Sequence, residues 1–127
     1  MQGLELTSPG GPLDTSMPVV FAADTNSVAS NPQDPTYQTY ANFLSAGFTD
    51  AWTAANPGVP GYTWGQAPLL NNPVSSLFQR IDLILVRGGW AVKAAQLVGA
   101  DPSDKTTDGL WPSDHAGVVT RLHLRGN

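Results

Sequence analysis

The apolar positions of this chain fall into short runs with different periods. "VVFAA" at 19–23 is unbroken by polar residues, follows Pro18 and stops at Asp24. A short continuous apolar run bounded in this way predicts a fully buried strand within "MPVVFAAD", residues 17–24. "RIDLILVRG" at 80–88 predicts a second strand, with Ile81, Leu83 and Leu85 on one face and Asp82, Ile84 and Val86 on the other. "AGVVTRLHLRG" predicts the last strand. "WAVKAAQLVG" at 90–99 fits helix or strand spacing, and its place after Gly88-Gly89 tips the reading to a strand that could form a hairpin.

The period changes between 36 and 47. Thr36 can cap a helix, Tyr37, Tyr40, Phe43 and Leu44 share one face of it, and Gly47 is a stop signal. "FTDAWTAANPG" predicts a second short helix ending at Pro57, and "PGYTW" at 60–64 a short strand, with a polar loop on to Gln79. "TNSVASNPQDPT" and "DPSDKTTDGLWPSD" read as loops. Residues 1–17 are polar and rich in Gly and Pro, with "GLEL" as a helix stub. The pattern predicts an α+β (layered α/β) class, with four or five strands in a mixed sheet and one or two helices after the first strand.

Composition narrows the class of protein. A chain of 127 residues reads as one domain, 1–127, able to bury roughly two-thirds of its unfolded surface. Hydrophobic residues make up 41% and charged residues 13%, which excludes a disordered chain. The absence of cysteine excludes disulfides and thiolate metal sites and leaves the compartment unread. No apolar run reaches a membrane span, and the N-terminus lacks the basic and apolar regions of a signal peptide, so a soluble chain is expected. The net charge is -4, and the six Lys and Arg residues are scattered. Tight binding to long nucleic acids is therefore not expected, whereas a metal could still hold a small anionic substrate.

Three strand ends carry polar residues that an ordinary core would reject. Asp24 and Asn26 follow "VVFAA", Asp82 interrupts the most apolar strand, and Asp114 and His115 open the last one. A buried carboxylate costs several kcal/mol unless it is paired. Histidine is its natural partner, because a carboxylate on one ring nitrogen fixes the tautomer and favours the imidazolium. Each signal also has a bland reading. Asp24 to Ser27 could be an Asx turn, Asp82 an edge-strand charge, and "SDH" a turn or cap. His123 alternates with Leu122 and Leu124 and reads as a surface residue. Trp52, Trp64, Trp90 and Trp111 read as core or loop anchors rather than a stacking platform.

Taken in order, "VVFAADTNS", "GYTWG", "RIDLILVRGG" and "WPSDHAGVVTRLHL" resemble the C-terminal half of the endonuclease/exonuclease/phosphatase family, over about Pro18 to Leu124. That family's pattern is Gly-Asp-x-Asn, then Arg-Ile-Asp-Tyr, then Ser-Asp-His. Ala23 stands for the glycine and Leu83 for the tyrosine. Asp24, Asn26, Asp82, Asp114 and His115 match.

The resemblance implies a metal-dependent phosphoesterase that hydrolyses phosphodiesters by water attack. Asp24 would align or deprotonate the water or assist the leaving group, and Asn26 would bond the phosphate or hold Asp24. His115 would donate to a non-bridging phosphate oxygen, and Asp82 would orient it and keep it protonated. Asp114, with Asp24, would bind the metal; oxygen and imidazole donors fit Mg²⁺ or Mn²⁺, and imidazole also fits Zn²⁺. The family's N-terminal half, with its Asn and Glu, has no counterpart in the sequence, and Glu5 lies in a stretch unlike the family's metal motif. A half sandwich would leave its inner sheet face bare, which predicts a homodimer through that face or a separate partner chain. The substrate expected is a small phosphodiester. The alternative is a catalytically inactive fragment that folds by association.

Overall fold

The computed structural model describes residues 2–126. The expected class is present: helices lie on one face of antiparallel strands. The first sheet is built on β3 (Asp82–Arg87), which lies between β1 (Val19–Asp24) and β2 (Thr49–Asp50). β1 runs antiparallel to β3, from Val19 opposite Arg87 to Asp24 opposite Asp82. A second, two-stranded sheet pairs β4 (Trp90–Val98) antiparallel with β5 (Gly117–Leu124), with an irregularity between Val92 and Ala94. The named strands thus form two antiparallel sheets rather than one mixed sheet.

The alternation of β1 and β3 explains the packing. Val19 and Phe21 turn with Leu83 and Leu85 toward the helices, where they meet Tyr40, Phe43 and Phe48. Phe43 is the hub, with ring centroids 4.7 Å from Phe21 and 5.5 Å from Phe48. Tyr40 and Phe43 come from α2 (Tyr37–Ser45), against which α1 (Gln2–Thr7) packs. Gly47, at φ 82°, ends α2 in the left-handed conformation that glycine tolerates best.

Several expectations need correction. β1 is not fully buried: Val20, Ala22 and Asp24 are exposed on the face away from the helices, although Val86 of β3, opposite Val20 on that face, is buried. Leu44, expected on the apolar face of α2, is 38% exposed. Thr36 precedes α2 but does not cap it through its side chain. Its hydroxyl instead donates to Asp34 and accepts the Val28 N–H. "PGYTW" forms no strand; only Trp64 makes isolated bridges, to Gln79 and to His115. β4 pairs with β5, so Gly88-Gly89 closes no β3–β4 ladder. β2 has only two residues and precedes α3 (Ala51–Ala55), the short helix expected before Pro57.

Candidate active site

The end of the β1–β3 ladder brings the first two site residues together. Asp24 is the last residue of β1 and Asp82 the first of β3, and they stand directly opposite. Their side chains alternate with core residues, so both point away from the helices. Beyond Asp24 the chain turns sharply. The Asn26 N–H donates to Asp24 Oδ1 at 2.9 Å, and Asn26 adopts φ 47°. The Asx-turn reading of this segment is therefore correct, and it is compatible with a chemical role, since the second carboxylate oxygen remains available.

His115 reaches the same place from the chain segment before β5. Its Nδ1 lies 2.9 Å from Asp82 Oδ2, with the two side chains 27% and 23% exposed. Asp82 is thus at the mouth of β3 and partly hydrated, rather than inside the strand, and β3 is a central rather than an edge strand. Partial burial pulls the His115 pKa down. The hydrogen bond and charge of Asp82, with the charges of Asp114 and Asp24, outweigh it, so the net shift is upward.

Backbone ties hold the histidine in place. The His115 N–H donates to Ser113 Oγ at 3.1 Å, and the Asp114 carbonyl accepts from the N–H groups of Gly65 and Gln66. Thr63 joins the two sides of the site. It is fully buried, and its hydroxyl accepts the N–H groups of Ile81 and Asp82, each at 3.1 Å. Its carbonyl accepts the Ala116 N–H at 2.7 Å. The quoted "GYTWG" contained this residue, yet nothing in its composition marked a threonine as the clamp.

One carboxylate oxygen each from Asp24 and Asp82 and one ring nitrogen from His115 lie within 4.8 Å of one another. Two hard oxygens and an imidazole suit Mg²⁺, Mn²⁺ or Zn²⁺. Asp114 is not among the three. Its side chain is exposed and accepts from Ser113 Oγ at 3.4 Å, although its charge reaches His115. Asn26 is exposed at the rim, between two surface cavities. Glu5 is exposed on α1, outside the group. His123 is exposed on β5, as expected.

A second polar cluster supports the site from the core. Arg80 Nη1 lies 2.6 Å from Asp50 Oδ2, and both side chains are buried. Asp50 also caps α3 through the Trp52 N–H and accepts from the hydroxyls of Tyr40 and Thr53. Burial, followed by the Asp50 charge, pushes the Tyr40 phenol up. The pair spans 30 residues of sequence, and neither residue was marked by the linear pattern.

A family model described as the Endonuclease/Exonuclease/phosphatase family matches residues 8–115. No curated protein matches. Three solved structures share the fold. An endonuclease/exonuclease/phosphatase family protein from Leptotrichia buccalis C-1013-b is 21% identical with TM-score 0.58, matching 87% of this chain and 37% of its own. The endonuclease/exonuclease/phosphatase from Bacteroides vulgatus is 22% identical with TM-score 0.60, matching 87% and 38%. That from Beutenbergia cavernae DSM 12333 is 25% identical with TM-score 0.59, matching 89% and 28%. The chain therefore spans well under half the length of each. With 8–115 matched and Asp24, Asp82 and His115 gathered at one sheet end, the chain belongs to the endonuclease/exonuclease/phosphatase family.

Proposed function

We propose that the site is that of a metal-dependent phosphoesterase acting on phosphodiesters. The observation that carries this reading is the Asp82–His115 contact of 2.9 Å with the Asp24 carboxylate alongside. Asp24, oriented by the Asn26 N–H, aligns a water and takes its proton. Asp82 holds the imidazole through Nδ1, which leaves Nε2 to donate to a non-bridging phosphate oxygen. The Asp82 hydrogen bond and charge raise the His115 pKa and so favour the charged form of that donor. A divalent ion held by the carboxylates of Asp24 and Asp82 would supply Lewis-acid charge stabilisation, with His115 acting as hydrogen-bond donor rather than ligand.

The test is hydrolysis of bis(p-nitrophenyl) phosphate after chelator treatment and resupply of Mg²⁺, Mn²⁺ or Zn²⁺. Restored turnover that is lost in folded Asp24→Ala and His115→Ala supports the reading. Equal rates in wild type and both variants sink it.

The second part of the proposal concerns the exposed face of β1. Val20 is 45% exposed there, beside exposed Ala22 and half-buried Ile84. A second copy of the chain, packed sheet to sheet, would remove this apolar surface from water and bring two sites to one interface. Sedimentation should give a dimer mass that falls to the monomer in Val20→Asp. A stable wild-type monomer contradicts the dimer and leaves a different partner chain, or an inactive association module, as the reading.

A further inference from the structure

The segment around Trp64 lies between the two sides of the site. Trp64 is bridged to His115 on one side and to Gln79 on the other, both antiparallel. Two backbone bonds flank the Trp64–His115 bridge. The Ala116 N–H donates to the Thr63 carbonyl at 2.7 Å, and the Gly65 N–H donates to the Asp114 carbonyl at 3.2 Å. Trp64 and His115 therefore form the narrow, non-hydrogen-bonded kind of pair, whose side chains share one face and stand closest. Their ring centroids are 6.5 Å apart, at an interplanar angle of 55°.

The indole is held in turn. The Phe78 ring centroid lies 5.3 Å from that of Trp64, and the Phe78 N–H donates to the Trp64 carbonyl at 2.9 Å. Gly65 makes room for this contact: a Cβ there would stand 2.4 Å from the Phe78 ring, and its φ is 125°. A chain of ring contacts thus runs from Phe78 through Trp64 to His115. The histidine needs such support. Its 2.9 Å contact with Asp82 fixes Nδ1 alone, in a side chain that is 27% exposed. One bond leaves the imidazole free to tilt about that atom, and Nε2, across the ring, moves most. An indole beside the ring limits the tilt.

We propose that Trp64 is a positioning residue for His115: its indole, braced by Phe78, keeps Nε2 in one place while Nδ1 stays on Asp82. The effect on turnover rests on the phosphoesterase reading. The restraint on the ring does not.

The test follows the histidine ring directly. In the full chain, free of metal and carrying ¹³C-labelled histidine, Cε1–Hε1 relaxation measured by NMR gives the order parameter of each imidazole. His115 is assigned by the loss of its signal in His115→Gln, and exposed His123 is the internal reference. The His115 value should be that of rigid backbone, about 0.85, and should fall below about 0.6 in Trp64→Leu, with Trp64→Phe close to wild type. Phe78→Ala, a change at a residue that is 55% exposed, should loosen the ring in the same direction by less. In hydrolysis of bis(p-nitrophenyl) phosphate, Trp64→Leu should lower kcat about tenfold with KM unchanged, and Trp64→Phe should keep most of the wild-type rate. A His115 ring already mobile in the wild type, or equally ordered in folded Trp64→Leu, overturns the role. If Trp64→Leu does not fold, Phe78→Ala decides in its place, and an unchanged ring there overturns it. A loosened ring with kcat unchanged also overturns it. A loosened ring in a chain whose wild type turns over no diester supports the restraint and rejects the phosphoesterase reading.

Discussion

The Thr63 hydroxyl accepts the Asp82 peptide N–H at 3.1 Å, although the two residues are 19 positions apart. The same oxygen takes the Ile81 N–H, and the Thr63 carbonyl takes that of Ala116. One buried residue therefore fixes the backbone on both sides of the Asp82–His115 pair. Thr63→Val keeps the shape and removes the acceptor from two N–H groups. It should cost about 2–4 kcal/mol in urea unfolding, while Thr63→Ser should stay within about 1 kcal/mol of wild type. Equal midpoints for all three proteins would contradict the clamp.

The raised pKa of His115 gives stability a direction in pH. The unfolded histidine titrates near 6.5, and the folded one above it. The contribution of the pair is therefore fully present below about pH 6.5 and is lost as pH rises through the folded value. Asp82→Asn removes the hydrogen bond and charge that raise it. In that variant the His115 ring protons should titrate lower by NMR, and the loss of stability over this window should flatten. Activity that depends on the imidazolium should fall over the same rise in pH.

Metal binding should depend unequally on the carboxylates. Mn²⁺ should broaden the His115 resonances of the wild-type protein. Asp24→Asn should weaken this by about tenfold or more, in line with the loss of a direct ligand or its immediate support. Asp114→Asn should weaken it less, because Asp114 lies outside the cluster of three donors. A larger loss from Asp114→Asn than from Asp24→Asn would move the ion to the other side of His115.

The Asp50–Arg80 pair should be a stability element. Asp50→Ala strands a buried guanidinium and uncaps α3, and should cost about 3–5 kcal/mol in chemical denaturation. A loss below about 1 kcal/mol would mean that water reaches Arg80.

The parts of this fold that were legible in the sequence are those whose pattern is local. The apolar runs at 19–23 and 83–86 and the aromatic stripe of α2 mark elements because burial repeats at their own period. Asp24 and His115 stood out as polar residues at the end of such a run, and Asp82 as a carboxylate that interrupts one. What stayed hidden depends on partners distant in sequence. β2 is a strand only because β3 lies beside it. Thr63 is a clamp only because two chain segments meet over it. The bareness of one face of β1 is invisible in a run of five apolar residues, since such a run looks the same whether or not a second layer covers it.

The pairing of Asp24 with Asp82 has a consequence for how this site tolerates change in chain length. Side chains in a strand alternate, so a one-residue slip of β1 would turn Asp24 toward Phe43 and expose Phe21 to water. The Asp24 carboxylate is thus indexed by hydrophobic burial several residues away. A single insertion or deletion between Val19 and Ala23 would take apart the Asp24, Asp82 and His115 group while all three residues remained in the sequence, whereas lengthening the loop that follows Asn31 would leave the register untouched.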